Sequence, residues 1–66
     1  MRNNLVGFRH KLGLTQEEMG GLFNLNRQQW CNIELGARKG SAVMWVNLGI
    51  KFNLTLKELK KLMEVS

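Results

Sequence analysis

One local signal occurs twice in the middle of the chain. Thr15 is followed three places later by Glu18, and Asn26 three places later by Gln29. Each pair is a capping-box pattern: a side-chain oxygen takes an orphan N–H at a helix start, and the later side chain returns the bond. Helix starts this close together leave room between them for one short helix and a tight turn. The first helix carries Met19, Leu22 and Phe23 at i, i+3 and i+4, one apolar face. It stops near Asn24, since Asn is one of the few non-glycine residues that accept a left-handed C-cap, and Leu25 tucks under the turn. The second helix opens at Asn26, runs to Leu35 and ends at Gly36, a favoured type at that place. Gly20 costs ~1 kcal/mol against Ala inside a helix. Close approach of the other helix is a reason for its presence.

The faces of the second helix separate. Trp30, Ile33 and Glu34 lie on one side, and Arg27, Gln28, Cys31, Asn32 and Leu35 mostly on the other. An ordinary solvated face favours Glu and Lys. This one holds Arg, Gln and Asn, whose planar forks pair with base edges, Arg with guanine and Gln or Asn with adenine. Any one of these residues reads equally well as polar surface; the set, beside this turn, points to nucleic acid.

The flanking segments supply the rest of a core. Asn3 or Asn4 can cap a first helix with Leu5, Phe8 and Leu12 on one stripe, ended by Gly13, and Leu14 then turns inward. After Gly36 comes a basic loop, Ala37-Arg38-Lys39-Gly40. Ser41 can cap a fourth helix, with Trp45, Leu48, Gly49 and Phe52 at i, i+3, i+4 and i+7. Val43, Met44, Val46 and Ile50 add apolar residues around the rest of it, so this helix is either deeply enclosed or partly used for association. Asn53 suits a left-handed stop and Leu54 enters the core. Thr55 with Glu58 repeats the capping box before a fifth helix lined by Leu56, Leu59, Leu62 and Met63, with Lys57, Lys60 and Lys61 facing out. The pattern predicts an all-α bundle of five short helices. The 66 residues contain no proline, repeat or linker, and they read as one domain, 1–66.

At this point the chain resembles a family. Arg9, the run Gly13-Leu14-Thr15-Gln16-Glu17-Glu18-Met19-Gly20, then Leu22, Asn26, Ile33-Glu34 and Gly36 are similar to the helix-turn-helix domain of lambdoid phage repressors and Cro proteins. The likeness continues through Ser41, Trp45, Leu48, Gly49, Phe52, Leu54, Thr55, Leu56 and Leu59, nearly the whole chain. Many relatives have Pro where this chain has Gly40. The resemblance implies a λ-repressor-like fold and an Arg–Glu pair, here Arg9 and Glu34, tying the first helix to the end of the recognition helix. Two separate exposed charges are the plainer reading of those residues.

Composition narrows the function. Ten Lys and Arg against five Asp and Glu give a net charge of +5, which favours a polyanionic partner. Ribosome-associated and membrane-surface proteins share that signature. Hydrophobic residues at 44% are enough for a helical core. A single cysteine, Cys31, excludes an internal disulfide or multi-Cys zinc site, fits a reducing cytoplasm, and reads as a passive small residue. With one histidine, His10, no His-based metal cluster forms; no cofactor is expected. No apolar run approaches the ~20 residues of a membrane span, and the first residues lack the apolar stretch of a signal peptide. An enzyme is disfavoured, because Glu17 and Glu18 face different ways and Cys31 with His10 has no supporting third group.

The leading expectation is a sequence-specific regulator of transcription, a repressor, that binds double-stranded DNA. Arg27, Gln28 and Asn32 match positions that read bases in the resembled family. Gln16 and Asn26 would bind phosphate, Gln16 at a helix N-terminus whose N–H groups favour an anion. Arg38 and Lys39 would grip the backbone beyond the recognition helix. One such helix reads only a few base pairs, so a homodimer on a palindromic operator is expected, joined through Leu62, Met63 and Val65 or through the fourth helix. The alternative is an interaction module whose apolar surplus at Val43, Met44, Val46 and Ile50 takes a protein partner, such as a repressor or a toxin.

Overall fold

A computed structural model describes residues 1–66, and in it the capping signals become helix starts. The chain is all-α: α1 (Asn3–Leu12), α2 (Gln16–Gly21), α3 (Arg27–Leu35), α4 (Ala42–Lys51) and α5 (Leu56–Met63). Both bonds of the box form at Thr15/Glu18, Asn26/Gln29 and Thr55/Glu58, and the Ser41 hydroxyl accepts from the Met44 N–H. The stops also follow local chemistry. Asn24 and Asn53 have φ of 59° and 51°, and Gly13 and Gly36 close α1 and α3 in the left-handed region.

α2 packs on α3, α1 crosses both α3 and α5, and α4 rests on α5. The interior is built from Leu5, Met19, Trp30, Ile33, Trp45, Leu48 and Leu62, joined by Met44. Phe23 stacks on Trp30 with centroids 6.0 Å apart, and Phe8 meets Phe52 edge-on at 5.2 Å. Gly20 permits the α2–α3 approach. A Cβ there would lie 3.0 Å from the Leu25 carbonyl oxygen and 3.1 Å from Trp30 Cβ, neither of which is the end of a flexible side chain.

Several expectations from periodicity are corrected. Asn3 and Asn4 lie inside α1 and do not cap it; the capping position is Arg2, with no side-chain bond to the helix start. Their amides instead reach the chain's end, Asn3 to Ser66 Oγ and Asn4 to the Lys61 carbonyl. Leu12 and Leu22 are exposed, because nothing packs over the outer edges of α1 and α2. Of the apolar residues around the rest of α4, whose enclosure the sequence leaves open, Met44 is buried because the turn at Gly40 folds over it. On α5 only Leu59 and Leu62 face inward; Leu56 is 86% exposed and Met63 is exposed too. Of the chain-end residues expected at a dimer surface, Leu62 is in the core, while Met63 and Val65 are exposed.

Candidate functional site

α3 presents two chemically distinct sides, and the inner one fixes the outer. Glu34 is 1% exposed, yet its carboxylate is fully paired. Arg9 Nε donates to Oε2 at 2.7 Å and Arg9 Nη2 to Oε1 at 3.3 Å, so the pair is bidentate. Trp30 Nε1 donates to Oε2 at 2.7 Å and Gln16 Nε2 to Oε1 at 2.9 Å. Arg9 Nη1 also donates to the Leu14 carbonyl. Burial pushes the Glu34 carboxyl's pKa up, but the hydrogen bonds from Arg9, Gln16 and Trp30 outweigh it and hold the group below its ordinary value. One carboxylate thereby ties α1, the start of α2 and both turns of α3 into one frame. The expected Arg9–Glu34 pair is present, and it is the molecule's only ion pair. Trp30 joins it from one turn earlier on the same side of α3, as their spacing of four allows, and Gln16 joins it without any spacing signal that could have announced it.

The outer side of α3 is open. Arg27 and Gln28 are exposed and Asn32 is half-buried. Gln28 Nε2 donates to Asn32 Oδ1 at 3.0 Å, one turn apart, which leaves the Gln28 carbonyl and part of the Asn32 amide unused. These two side chains therefore present an acceptor and a donor together. Asn26 Oδ1 is occupied by the Gln29 N–H, and its amide nitrogen remains available to an anion. Gln16 is more constrained than expected, since one of its two amide N–H groups is given to Glu34, which leaves the other N–H and the carbonyl.

A concavity beside α3 is lined by Gln29, Asn32, Ile33, Arg38, Lys39, Gly40 and Ser41. It brings the two basic loop residues to the same side of the molecule as Asn32. Gln29 and Ser41, which cap α3 and α4, share this wall. The loop's path depends on Gly40 at φ 76°, where Pro, fixed near −65°, cannot stand. The loop therefore departs from the course a proline would impose. Trp45 Nε1 donates to the Lys39 carbonyl at 2.8 Å, which turns that backbone inward while the Lys39 side chain stays exposed.

No group of three or more His, Cys, Asp or Glu stands close enough to hold a metal ion, and Cys31 is half-buried within α3. No helix is long and apolar enough to cross a membrane. A second feature lies away from α3: Val46 and Ile50 of α4 and Leu56 and Leu59 of α5 line an apolar groove, with Val43 exposed nearby on α4. No protein-family model, curated protein or solved structure matches the chain.

Proposed function

We propose that this chain is a sequence-specific double-stranded DNA-binding regulator of the repressor/Cro helix-turn-helix type, with α3 lying in the major groove. The observation that carries the reading is the coupled Gln28–Asn32 pair on the open side of α3, beside Arg27 and the Arg38–Lys39 concavity. Amide forks suit the N6 and N7 edge of adenine, and the Arg27 guanidinium suits O6 and N7 of guanine. Each good bidentate match is worth ~1–3 kcal/mol against the wrong base. Arg38 and Lys39 supply sequence-independent phosphate contact, joined by the free amide N–H groups of Asn26 and of Gln16 at the N-terminus of α2. The Glu34 frame serves this role by holding α3 at a fixed angle to the elements around it.

A single α3 spans few base pairs, so a homodimer on a palindrome, with half-sites ~34 Å apart, completes the proposal. The test is selection from a random duplex pool at fixed salt. The expected result is an enriched motif with inverted symmetry. A second reading, a protein-interaction module, is favoured by the exposed apolar set Val43, Val46, Ile50 and Leu56. It predicts no enriched motif, with DNA affinity that depends on salt alone.

A further inference from the structure

Arg2 drew no notice in the sequence. It precedes the first helix, has no carboxylate beside it and is 5% exposed. Its fork joins three distant segments. Nη1 donates to the Ile33 carbonyl at 2.6 Å and to the Arg38 carbonyl at 2.8 Å, and Nε donates to the Met63 carbonyl at 3.0 Å. The guanidinium carbon lies 5.7 Å from the centre of the Trp45 ring, whose own N–H holds the Lys39 carbonyl. Ile33 and Met63 belong to the last turns of α3 and α5, whose carbonyl ends favour a cation, and the Ile33 carbonyl also accepts from the Gly36 N–H. The backbone N–H of Arg2 donates to the Glu34 carbonyl at 2.7 Å, so main chain and side chain grip the same helix end.

From this geometry we infer that Arg2 is a positioning residue for the phosphate-gripping loop. One nitrogen bridges the last turn of α3 to the carbonyl of Arg38, and Trp45 holds the next carbonyl. Two consecutive peptide units are thus pinned inward, and the Arg38 and Lys39 side chains are left exposed at a set distance from α3. The inference rests on the DNA-binding reading for its purpose, but not for its geometry.

The test is Arg2→Lys, which keeps the charge and loses the planar fork, combined with Arg38→Ala/Lys39→Ala in a double-mutant cycle. Loop order is read by NMR on the free protein, and DNA affinity is read against salt. In Arg2→Lys the backbone order parameters of residues 37–40 should fall from ~0.85 toward ~0.6, and exchange of the Trp45 indole N–H should quicken. The slope of log affinity against log salt should drop by between ~1 and ~2 although net charge is unchanged. In the Arg38→Ala/Lys39→Ala background, Arg2→Lys should change the slope no further. An equal loss in both backgrounds, or an unaltered loop, overturns the inference and leaves Arg2 a stability residue alone. Should Arg2→Lys fail to fold, the wild-type chain still decides. A loop as ordered as the helices, with a protected Trp45 indole N–H, supports the inference, and order below ~0.6 there refutes it. If wild-type protein binds no DNA, the functional reading falls while the loop measurements still judge Arg2.

Discussion

Replacing Glu34 by Gln should nearly unfold the protein, although the side chain keeps its shape. In the wild type four donor bonds converge on the carboxylate: two from Arg9, one from Trp30 and one from Gln16. An amide has one oxygen. Whichever way it is turned, its NH2 faces either Arg9 Nε and Trp30 Nε1 or Arg9 Nη2 and Gln16 Nε2, donor against donor. The Arg9 charge is then buried without a counter-ion, a loss of ~3–5 kcal/mol. A 66-residue domain holds roughly 3–10 kcal/mol in total at ~0.05–0.15 kcal/mol per residue. At ~4–8 °C per kcal/mol, the melting temperature should fall by more than ~12 °C. Removing both charges as Arg9→Met/Glu34→Met leaves chiefly the Trp30 N–H stranded, at ~1–3 kcal/mol, so the double variant should melt above Glu34→Gln. Thermal melts by circular dichroism decide. A Glu34→Gln variant within ~3 °C of wild type would show that the frame around α3 is not held by this carboxylate.

Gly20→Leu should lower the melting temperature by an overpacking cost of ~1–3 kcal/mol, because the space is bounded by the Leu25 carbonyl and Trp30 Cβ; an unchanged melt would place Gly20 at the surface. Acid should destabilise the fold through Glu34, Glu18 and Glu58, whose carboxyls are all held below the ordinary value of 4.5, the latter two by their capping hydrogen bonds. A group that binds its proton more weakly when folded stabilises fully above its unfolded pKa, so the stability should be lost as pH falls from about 4.5 through the lowered values. Urea titrations across that range test the sign, and stability that rises toward acid would contradict it. Arg38→Ala/Lys39→Ala should weaken binding to all DNA sequences alike and reduce the salt slope by ~2, at ~0.9 per phosphate contact. Loss of a single base preference with the slope intact would mean that the loop reads bases.

Helix boundaries were legible because they are local: three capping boxes, the Ser41 cap, and Asn24 and Asn53 at the stops all act within a few residues of themselves. The sides of a helix were less legible. Periodicity gives the angle at which a residue leaves the axis, not the width of the arc its neighbours cover. Met44 is buried because the Gly40 turn folds back on it, and Leu56 is bare because α5 is covered only toward α1 and α4. Of the residues around α3, Arg9 and Glu34 were suggested by resemblance, and Arg27, Gln28 and Asn32 by their face on a helix. Arg2 had no such signal. Its partners stand 31, 36 and 61 residues away, and all three are backbone carbonyls, which any sequence provides.

The central claim is that α3 reads bases, and Gln28 tests it most directly. It stands in the first turn of α3, exposed, with its carbonyl unused. Binding sites selected by the wild-type protein are to be competed against single-base variants and random duplex, with Gln28→Ala measured alongside. The expected loss is ~1–3 kcal/mol on the selected site, with relaxed choice at one base pair in each half-site. Affinity for random DNA should hold, since Gln carries no charge to exchange with counterions, and the melting temperature should stay near that of wild type. Equal loss on selected and random DNA, with every base preference kept, would contradict the claim and move base recognition away from this face of α3.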